Sequence, residues 1–283
     1  MEGGNKEFDF SDKDFEFISD MVKSRVGIML PYKKKQMVYG RLVRRLRALG
    51  IPTFTEYCKL LRDEKKADEE LTQFVNAITT NLTGFFREAH HFEHLKSYLQ
   101  DLQQSKQKSK EASCFRLWSS ACSSGQEPYS IAMTVLNSFP SIANIDVKIL
   151  ATDIDTNMLD RAKEGIYHED AFSKAPPGYM KEYTSSASQE SEGMRQVKHS
   201  VKDLIRFNQL NLLNAWPMKG LFDVIFCRNV VIYFDKDTQR VLFDRMAEKM
   251  HMGAILYIGH SESLFNICDR FESLGQTIYR KIK

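Results

Sequence analysis

The chain has 283 residues, of which 42% are hydrophobic, 27% charged and 11% aromatic. This composition is typical of a globular protein, and it excludes a disordered tail, a disulfide-rich miniprotein and a membrane-spanning protein, whose apolar segments would need roughly 20 residues. The formal net charge of +3 is too small to indicate a nucleic-acid-binding protein by itself.

The N-terminus and the cysteines bear on the cellular compartment. Residues 1–7 contain no apolar segment after a basic region, so we expect no secretory signal and a cytoplasmic protein. The five cysteines are odd in number, widely spaced and form no C-x-x-C pair. This argues against a disulfide framework and a structural zinc site. We expect buried, reduced thiols at Cys58, Cys114, Cys122, Cys227 and Cys268.

The first part of the chain has helical patterns only. Residues 14–86 contain several segments with helical spacing and no convincing alternating strand, with turn signals at residues 50–52 and 62–64. We therefore predict an all-helical N-terminal domain over residues 1–78. A linker and a connecting helix are predicted to follow over residues 79–112.

A basic segment lies within this helical part. Residues 32–47 contain seven lysines and arginines and no acidic residue. Apolar residues recur there at helical spacing, namely Val38, Leu42, Val43 and Leu46. The segment predicts an amphipathic helix whose apolar stripe packs inward while its basic side chains face outward. Those side chains form either a solvated surface or a docking surface for an acidic partner.

From Phe115 onward, short β-rich runs alternate with helical patterns. The predicted strands cover residues 115–118, 147–151, 222–227, 255–258 and 277–279, and the clearest helices cover residues 129–138 and 236–249. This alternation is typical of an α/β fold in which helices cover both faces of a mainly parallel sheet. A polar segment at residues 183–193 interrupts the pattern and indicates an insertion.

The residues that follow two of these strands could contact a ligand, because open α/β sheets bind ligands outside the carboxyl ends of their strands. Residues 119–125 are all small, which lets backbone N–H groups approach a ligand, but the single glycine there does not make a dinucleotide fingerprint. Asp153 ends the second strand, where a carboxylate suits the hydroxyls of a ribose. Each signal is weak alone, since an acidic residue at a strand end also serves as a helix N-cap, as Asp155 would.

A competing pattern occurs at the start of the connecting helix. His90, Glu93 and His94 fit the H-x-x-E-H pattern of inverted zinc peptidases. A catalytic zinc site also needs a third protein ligand, which the sequence does not mark. We therefore interpret these histidines as helix surface and predict no metal. The G-x-S-x-G motif of serine hydrolases does not occur.

Six blocks in register carry a family resemblance. They are residues 79–88 with Asn-x-Thr-x-Phe-Phe-Arg, residues 127–130 with Glu-Pro-Tyr-Ser, and residues 151–155, 211–213, 226–235 and 259–263. Together they resemble the chemotaxis receptor glutamate methyltransferases, the CheR family, over essentially the whole chain. The resemblance implies an all-helical N-terminal domain and a Rossmann-like, S-adenosylmethionine (AdoMet)-dependent methyltransferase domain over residues 113–283, with a small β-subdomain inserted at residues 167–207.

The resemblance also implies the site residues. Arg87 and Tyr233 would face the methyl-transfer site as catalytic residues, whereas for Phe234 we favour packing in the core. The cofactor-binding residues that it implies are Asn81, Thr83, Arg87, Glu127, Asp153, Asn211, Leu212, Arg228 and Asn229. Among these, Glu127 and Asp153 would meet the amino and ribose ends of AdoMet.

The activity implied by the resemblance is methyl transfer from AdoMet to glutamate side chains of chemotaxis receptors, giving γ-methyl esters and S-adenosylhomocysteine. No general base is required, because a glutamate with a pKa near about 4.3 is already ionised at neutral pH. The basic segment Lys33–Arg47 would contact the acidic helical bundle of the receptor. We expect a monomer that neither inserts into a membrane nor binds nucleic acid.

Two other functions stay open on the sequence. A methyltransferase that acts on nucleic acid would use the basic segment as a phosphate-binding stripe. A non-catalytic module would only sense AdoMet. The presence of both Arg87 and Tyr233 favours an enzyme over a sensor.

One departure from the family concerns the inserted subdomain. Family members that bind a receptor-tail pentapeptide usually have a glycine-containing turn there, which keeps side chains away from the approaching strand. Residues 184–192 contain no glycine, and Glu190 and Glu192 would repel an acidic peptide. The sequence therefore predicts that this chain does not bind such a pentapeptide.

Overall fold

The computed structural model describes residues 7–109, 114–139, 146–188 and 192–283. The chain divides into two compact units. The first comprises Met1–Thr80, Ile154–Thr156 and Tyr233–Asp235, and the second comprises Asn81–Asp153, Asn157–Ile232 and Lys236–Lys283. Within the described ranges, no helix combines the length and the apolar character that crossing a bilayer requires.

The first unit is helical, as predicted. Its helices are α1 (Asp12–Val26), α2 (Lys35–Leu49), α3 (Phe54–Arg62) and α4 (Glu64–Ile78), with a 3-10 turn at Tyr32–Lys34. Ser11 and Asp14 form a capping box at the start of α1. Gly50 ends α2 with a left-handed φ of 65°. This break and the break after Arg62 coincide with the two turn signals of the sequence.

The basic helix α2 is amphipathic, but its charges are not all directed outward. The four residues of its apolar stripe are buried in the helical core. Arg45 pairs with Glu70 through an Nη2–Oε2 distance of 2.6 Å, and the Tyr57 hydroxyl also donates to Glu70 at 2.6 Å. Arg41 donates to the backbone carbonyl of Thr79 at 2.8 Å, near the end of α4. The prediction that the basic side chains face outward is therefore wrong for Arg41 and Arg45.

The second unit is built around a mixed sheet. The strands of the described chain are β1 (Cys114–Ser119), β2 (Asp146–Asp153), β3 (Ile166–His168), β4 (Thr184–Ser186), β5 (Met194–Val197), β6 (Ile205–Gln209), β7 (Phe222–Cys227), β8 (Met250–Ile258), β9 (Phe271–Gly275) and β10 (Ile278–Lys281). The helices that accompany them are α5 (His90–Ser109), α6 (Gln126–Ser138), α7 (Thr156–Glu164), α8 (Tyr179–Tyr183), α9 (His199–Lys202) and α10 (Lys236–Glu248).

The larger sheet has the order β6-β2-β1-β7-β8-β10-β9. Its first five strands are parallel, and β10 pairs antiparallel with β8 and β9. This confirms the predicted α/β class. The smaller antiparallel sheet, β3-β5-β4, is the inserted β-subdomain. The sequence patterns missed β6 and β9, because both are edge strands whose residues are mostly exposed. The first residues of β6 fall within the range predicted for the insertion, 167–207, although the strand belongs to the larger sheet.

The cysteines follow the prediction in part. All five are free thiols, and Cys58, Cys122 and Cys227 are buried. The expectation of burial is wrong for Cys114 and Cys268, which are half-buried. Cys114 begins β1, and Cys268 lies in the loop before β9, so both are nearer the surface than a strand centre.

Candidate functional site

The carboxyl ends of four parallel strands meet at one edge of the larger sheet. Ser119, the last residue of β1, is in register with Ala151 of β2 and Phe226 of β7. Asp153, the last residue of β2, is in register with Gln209 of β6. The residues that follow these strands therefore lie along the same edge, which is where open α/β sheets bind ligands.

The loop between β1 and α6 is shaped by close packing. Gly125 has a φ of 97°, and a Cβ atom there would lie 2.8 Å from both Ala162 Cβ and the Tyr167 hydroxyl oxygen. Ser123 donates its backbone N–H to Asp153 Oδ2 at 2.7 Å and its hydroxyl to the carbonyl of Asn81 at 3.1 Å. Asp153 and Asn81 are thus brought to the same loop.

Glu127 lies in the first turn of α6 and is buried. Its Oε1 accepts a hydrogen bond from the Ser119 hydroxyl at 2.7 Å, and its Oε2 accepts one from Arg228 Nη1 at 2.9 Å. Burial raises the pKa of Glu127, and the Arg228 charge and these hydrogen bonds only partly offset that effect.

Arg228, which follows β7, is shared between two carboxylates. Its side chain is 2% exposed, and its Nη2 lies 3.1 Å from Glu88 Oε2. The same nitrogen donates to the backbone carbonyl of Arg87. One guanidinium therefore faces two carboxylates, that of the buried Glu127 and that of the half-buried Glu88.

Arg87 lies on a constrained backbone segment. Its neighbours Phe86 and Glu88 have left-handed φ values of 51° and 60° although neither is glycine. Phe86 donates its N–H to the Ser130 hydroxyl at 3.0 Å. The Arg87 side chain is 28% exposed, and its Nη1 donates to the carbonyl of Leu82 at 2.8 Å. The Arg87 guanidinium is therefore partly exposed, while the backbone next to it is held in place by the buried Phe86.

The loop after β7 is held by a buried carboxylate that the sequence reasoning did not single out. Asn229 has a φ of 58°, and its N–H donates to Glu262 Oε2 at 3.0 Å. Glu262 Oε1 accepts the N–H of Val231, also at 3.0 Å. Burial raises the pKa of Glu262, against the opposing effect of these backbone hydrogen bonds. The available signal was the position of Glu262 within the block at residues 259–263.

We expect Gly259→Ala to destabilise the protein, because a Cβ atom at Gly259 would lie 2.8 Å from the backbone nitrogen of Asn229 and 2.9 Å from Glu262 Oε2. Overpacking of this kind costs about 1–3 kcal/mol in the free energy of unfolding. Denaturant titration measures it. Gly220→Ala is the control, since a Cβ atom there has nothing within 4 Å. Equal stability of the two variants would contradict the expectation.

The loop after β6 carries Asn211 and Leu212. Asn211 Oδ1 accepts the N–H of Leu213 at 3.0 Å, which closes a local turn. The carbonyl of Leu212 accepts hydrogen bonds from Trp216 Nε1 at 3.2 Å and from Arg245 Nη1 at 3.0 Å. This loop begins beside the end of β2, because Leu210 donates its N–H to the carbonyl of Asp153 at 3.0 Å. Thr83 is half-buried on the segment that follows Asn81.

Tyr233 belongs to the first compact unit, whereas the other site residues belong to the second. Its carbonyl accepts the N–H of Met29 at 2.8 Å, and Lys34 Nζ lies 5.1 Å from the centre of its ring. Phe234 is buried, in agreement with the packing interpretation.

The histidines at the start of α5 do not all lie on the surface. His91 is fully buried, so the surface interpretation is wrong for it. The Nε2 atoms of His90 and His91 both lie 3.1 Å from the carbonyl oxygen of Gln276, and His94 Nδ1 lies 2.8 Å from the Tyr257 hydroxyl. Burial lowers the pKa of His91 to about 3. In the part of the chain that the structure describes, no three His, Cys, Asp or Glu residues are grouped to hold a metal ion.

Two family descriptions match nearly the whole chain. The family described as "CheR methyltransferase, all-alpha domain" matches residues 13–79, and the one described as "CheR methyltransferase, SAM binding domain" matches residues 81–280.

Curated proteins from three bacteria are similar over nearly their full length. A probable chemotaxis protein methyltransferase of Rhizobium etli is 44% identical over 261 residues, which are 92% of this chain and 96% of that protein. Chemotaxis protein methyltransferase 2 of Pseudomonas aeruginosa is 40% identical and covers 98% of this chain and 95% of its own length. The chemotaxis protein methyltransferase of Escherichia coli is 40% identical, with coverages of 95% and 91%.

Proposed function

The chain belongs to the CheR methyltransferase family of AdoMet-dependent chemotaxis protein methyltransferases, and we propose that the group it methylates is the side-chain carboxylate of glutamates in chemotaxis receptors. The product would be a glutamate γ-methyl ester. The observation that carries the proposal is the arrangement at the carboxyl ends of the parallel strands. Glu127 and Asp153 lie beside a loop of small residues, and Arg228 joins Glu127 to the backbone of the partly exposed Arg87.

The residues at the sheet edge suit AdoMet by their charge and by the small side chains of the loop at residues 119–125. AdoMet carries an ammonium, a sulfonium and one carboxylate, so its net charge is positive and suits the carboxylates of Glu127 and Asp153 at this edge. Glu127 would hold the amino end, and Asp153, already fixed by the Ser123 N–H, would hold the ribose. Asn211 and Leu212 would line the adenine side. Asn81 and Thr83 would complete the pocket from the neighbouring segment.

Arg228 and Asn229 would contribute differently from one another. Both terminal nitrogens of Arg228 are engaged by protein groups, so its side chain would act by holding Glu127. Asn229 lies on backbone fixed by Glu262, and its left-handed φ sets the direction of the loop. We therefore assign the contacts of this pair with the cofactor mainly to the backbone.

Arg87 would hold the acceptor. AdoMet supplies, when bound, a methyl group activated by its sulfonium. One oxygen of the receptor carboxylate would pair with the Arg87 guanidinium, which leaves the other oxygen to attack in line. Tyr233 would help to place that carboxylate. Orientation and exclusion of water are effects that supply about 7–11 kcal/mol of barrier lowering in well-aligned reactions.

The acceptor class is tested by incubating the protein with methyl-labelled AdoMet and either membranes that contain chemoreceptors or nucleic acid. We expect label on the receptors. Label on nucleic acid, with none on receptors, would favour the alternative function.

The exposed charges of α2 and its 3-10 turn are proposed to contact the acidic receptor bundle. Lys33 and Arg44 are exposed. Changing both to glutamate is expected to raise KM for the receptor by roughly 3- to 10-fold, with AdoMet affinity unchanged, because complementary surface charges speed encounter. The difference from wild type should shrink at high salt, which screens exposed charges.

Steady-state kinetics with receptor membranes measures this change. The control is Lys59→Glu, which reverses an exposed charge on α3. An unchanged receptor KM in the double variant would mean that this face is only a solvated surface.

The inserted subdomain is expected not to bind a receptor-tail pentapeptide. β4 is an outer strand of its sheet, so a strand edge is present. Gly193, with a φ of 73°, directly precedes β5 and therefore does not keep the β4 side of the turn clear of side chains. The structure describes Glu192 but not residues 189–191, so Glu190 lies outside the described residues. Titration with a pentapeptide containing tryptophan and phenylalanine should give no saturable binding at micromolar concentrations. Saturable binding would overturn this prediction.

A further inference from the structure

Glu88 makes several contacts within the second unit. Its side chain is 11% exposed, and its Oε1 lies 2.9 Å from Nδ1 of the exposed His260. Its Oε2 lies 3.1 Å from Arg228 Nη2 and 3.6 Å from Nδ1 of the buried His91. Its backbone follows Arg87 directly and has a left-handed φ of 60°. Glu88 thus links the segment of Arg87 to the loops that follow β7 and β8.

Arg228 connects Glu88 to two groups of the site. Its Nη1 contacts Glu127, the carboxylate proposed for the amino end of AdoMet. Its Nη2 is divided between Glu88 and the carbonyl of Arg87. Because a buried guanidinium takes the position that balances its partners, loss of one carboxylate would alter how it holds the others.

We infer that Glu88 is a positioning residue, which acts through Arg228 to hold the carbonyl of Arg87 and the carboxylate of Glu127 in their working positions. This inference rests on the function proposed above. It predicts that removing the charge of Glu88 changes both the pH dependence of AdoMet binding and the kcat of methyl transfer.

The charge state of Glu88 supports this role. Burial alone would raise its pKa, but the Arg228 charge and the hydrogen bonds from His260 and Arg228 lower the pKa of Glu88 to about 2. Glu88 is therefore ionised wherever the enzyme would be assayed. Its negative charge in turn raises the pKa of Glu127, against the lowering effect of Arg228.

The groups that face the two carboxylates come from several elements. Around Glu88 they are Arg87, Arg228, His91 and His260. Around Glu127 they are Arg228, the Ser119 hydroxyl, Glu88 and the buried thiols of Cys122 and Cys227. Removal of the Glu88 charge removes the like-charge repulsion on Glu127 and leaves Arg228 with one carboxylate fewer to share, and both changes should lower the pKa of Glu127.

The test uses Glu88→Gln, which keeps the shape of the side chain and removes its charge. AdoMet binding, measured by calorimetry as a function of pH, should persist to lower pH than in wild type, because Glu127 would stay ionised further into acid. At neutral pH, kcat for receptor methylation should fall by about 10- to 100-fold, since a displacement of the order of 1 Å is that costly. The loss in kcat should exceed the change in AdoMet affinity.

Two further variants complete the test. Glu88→Asp restores the charge on a shorter side chain. The acid limb of its AdoMet-binding curve, which is the pH range in which binding is lost on acidification, should therefore return to the wild-type position, while kcat stays reduced. Asp146→Asn removes the carboxylate of another arginine pair, Arg116–Asp146, in the same unit and should change neither readout. Thermal melting of each variant separates loss of fold from loss of positioning.

An acid limb that does not move in Glu88→Gln would overturn the inference, whatever happens to kcat, and so would an unchanged kcat. If Glu88→Gln does not fold, Glu88→Asp decides the question by kcat, and wild-type turnover in it would overturn the inference. Because AdoMet binding needs no acceptor, failure of the wild-type protein to methylate receptors would count against the proposed function and leave this comparison interpretable.

Discussion

Arg87→Ala is expected to lower kcat for receptor methylation by about 100-fold or more, with a much smaller change in AdoMet affinity. The Arg87 guanidinium is partly exposed on an anchored segment, so its removal should leave the cofactor loop in place while the acceptor carboxylate loses its partner. A loss confined mainly to turnover identifies an interaction made in the transition state. Single-turnover kinetics with saturating AdoMet measures it.

Arg87→Lys is the matched variant. It keeps the charge but loses the planar fork that pairs with a carboxylate, so we expect only partial recovery of turnover. Near-normal turnover in Arg87→Ala would show that Arg87 does not hold the acceptor.

Asp153→Ala is expected to weaken AdoMet and S-adenosylhomocysteine binding by about 1.5–3 kcal/mol, or roughly 10- to 150-fold in Kd. Asp153 ends β2 at the edge where the strand ends meet, and its carboxylate also accepts the Ser123 N–H. The variant loses a charged hydrogen-bond acceptor for the ribose and a support of the loop. Calorimetry measures the change directly.

Two variants make this result specific. Asp153→Asn keeps an acceptor for the Ser123 N–H, so its loss should be smaller than that of Asp153→Ala. Asp160→Ala removes a carboxylate exposed on α7 and should leave affinity unchanged. Wild-type affinity in a folded Asp153→Ala variant would remove Asp153 from the cofactor site.

The buried strands could be predicted from the sequence because a strand that is buried on both faces is a continuous run of apolar residues. β7 is buried at every position, and its bounds agree with the predicted strand at residues 222–227. β6 and β9 lie at the two edges of the sheet and carry polar residues, so their pairing depends on neighbouring strands rather than on an apolar run. The capping and turn signals around Gly50 and Arg62 are local, and they also agreed with the structure.

The site could be predicted only where strand ends or motif blocks marked it. Asp153 follows from its place at the end of a strand. The connection of Arg228 to Glu127 joins residues that are 101 positions apart, and no local pattern shows it. The same reason explains Arg45 and Glu70, which are 25 positions apart and turn an apparently outward charge inward. Long-range pairs of this kind decide whether a charged side chain binds a partner or supports the fold.

The chemical bond formed on the receptor tests the central claim most directly. Receptor labelled by the wild-type protein with methyl-labelled AdoMet should release its label as methanol under mild base, and mass spectrometry should place the added methyl group on glutamate side chains. Both results are expected of a γ-methyl ester. Label that is stable to base, or a methyl group on any other residue type, would contradict the proposed glutamate methylation.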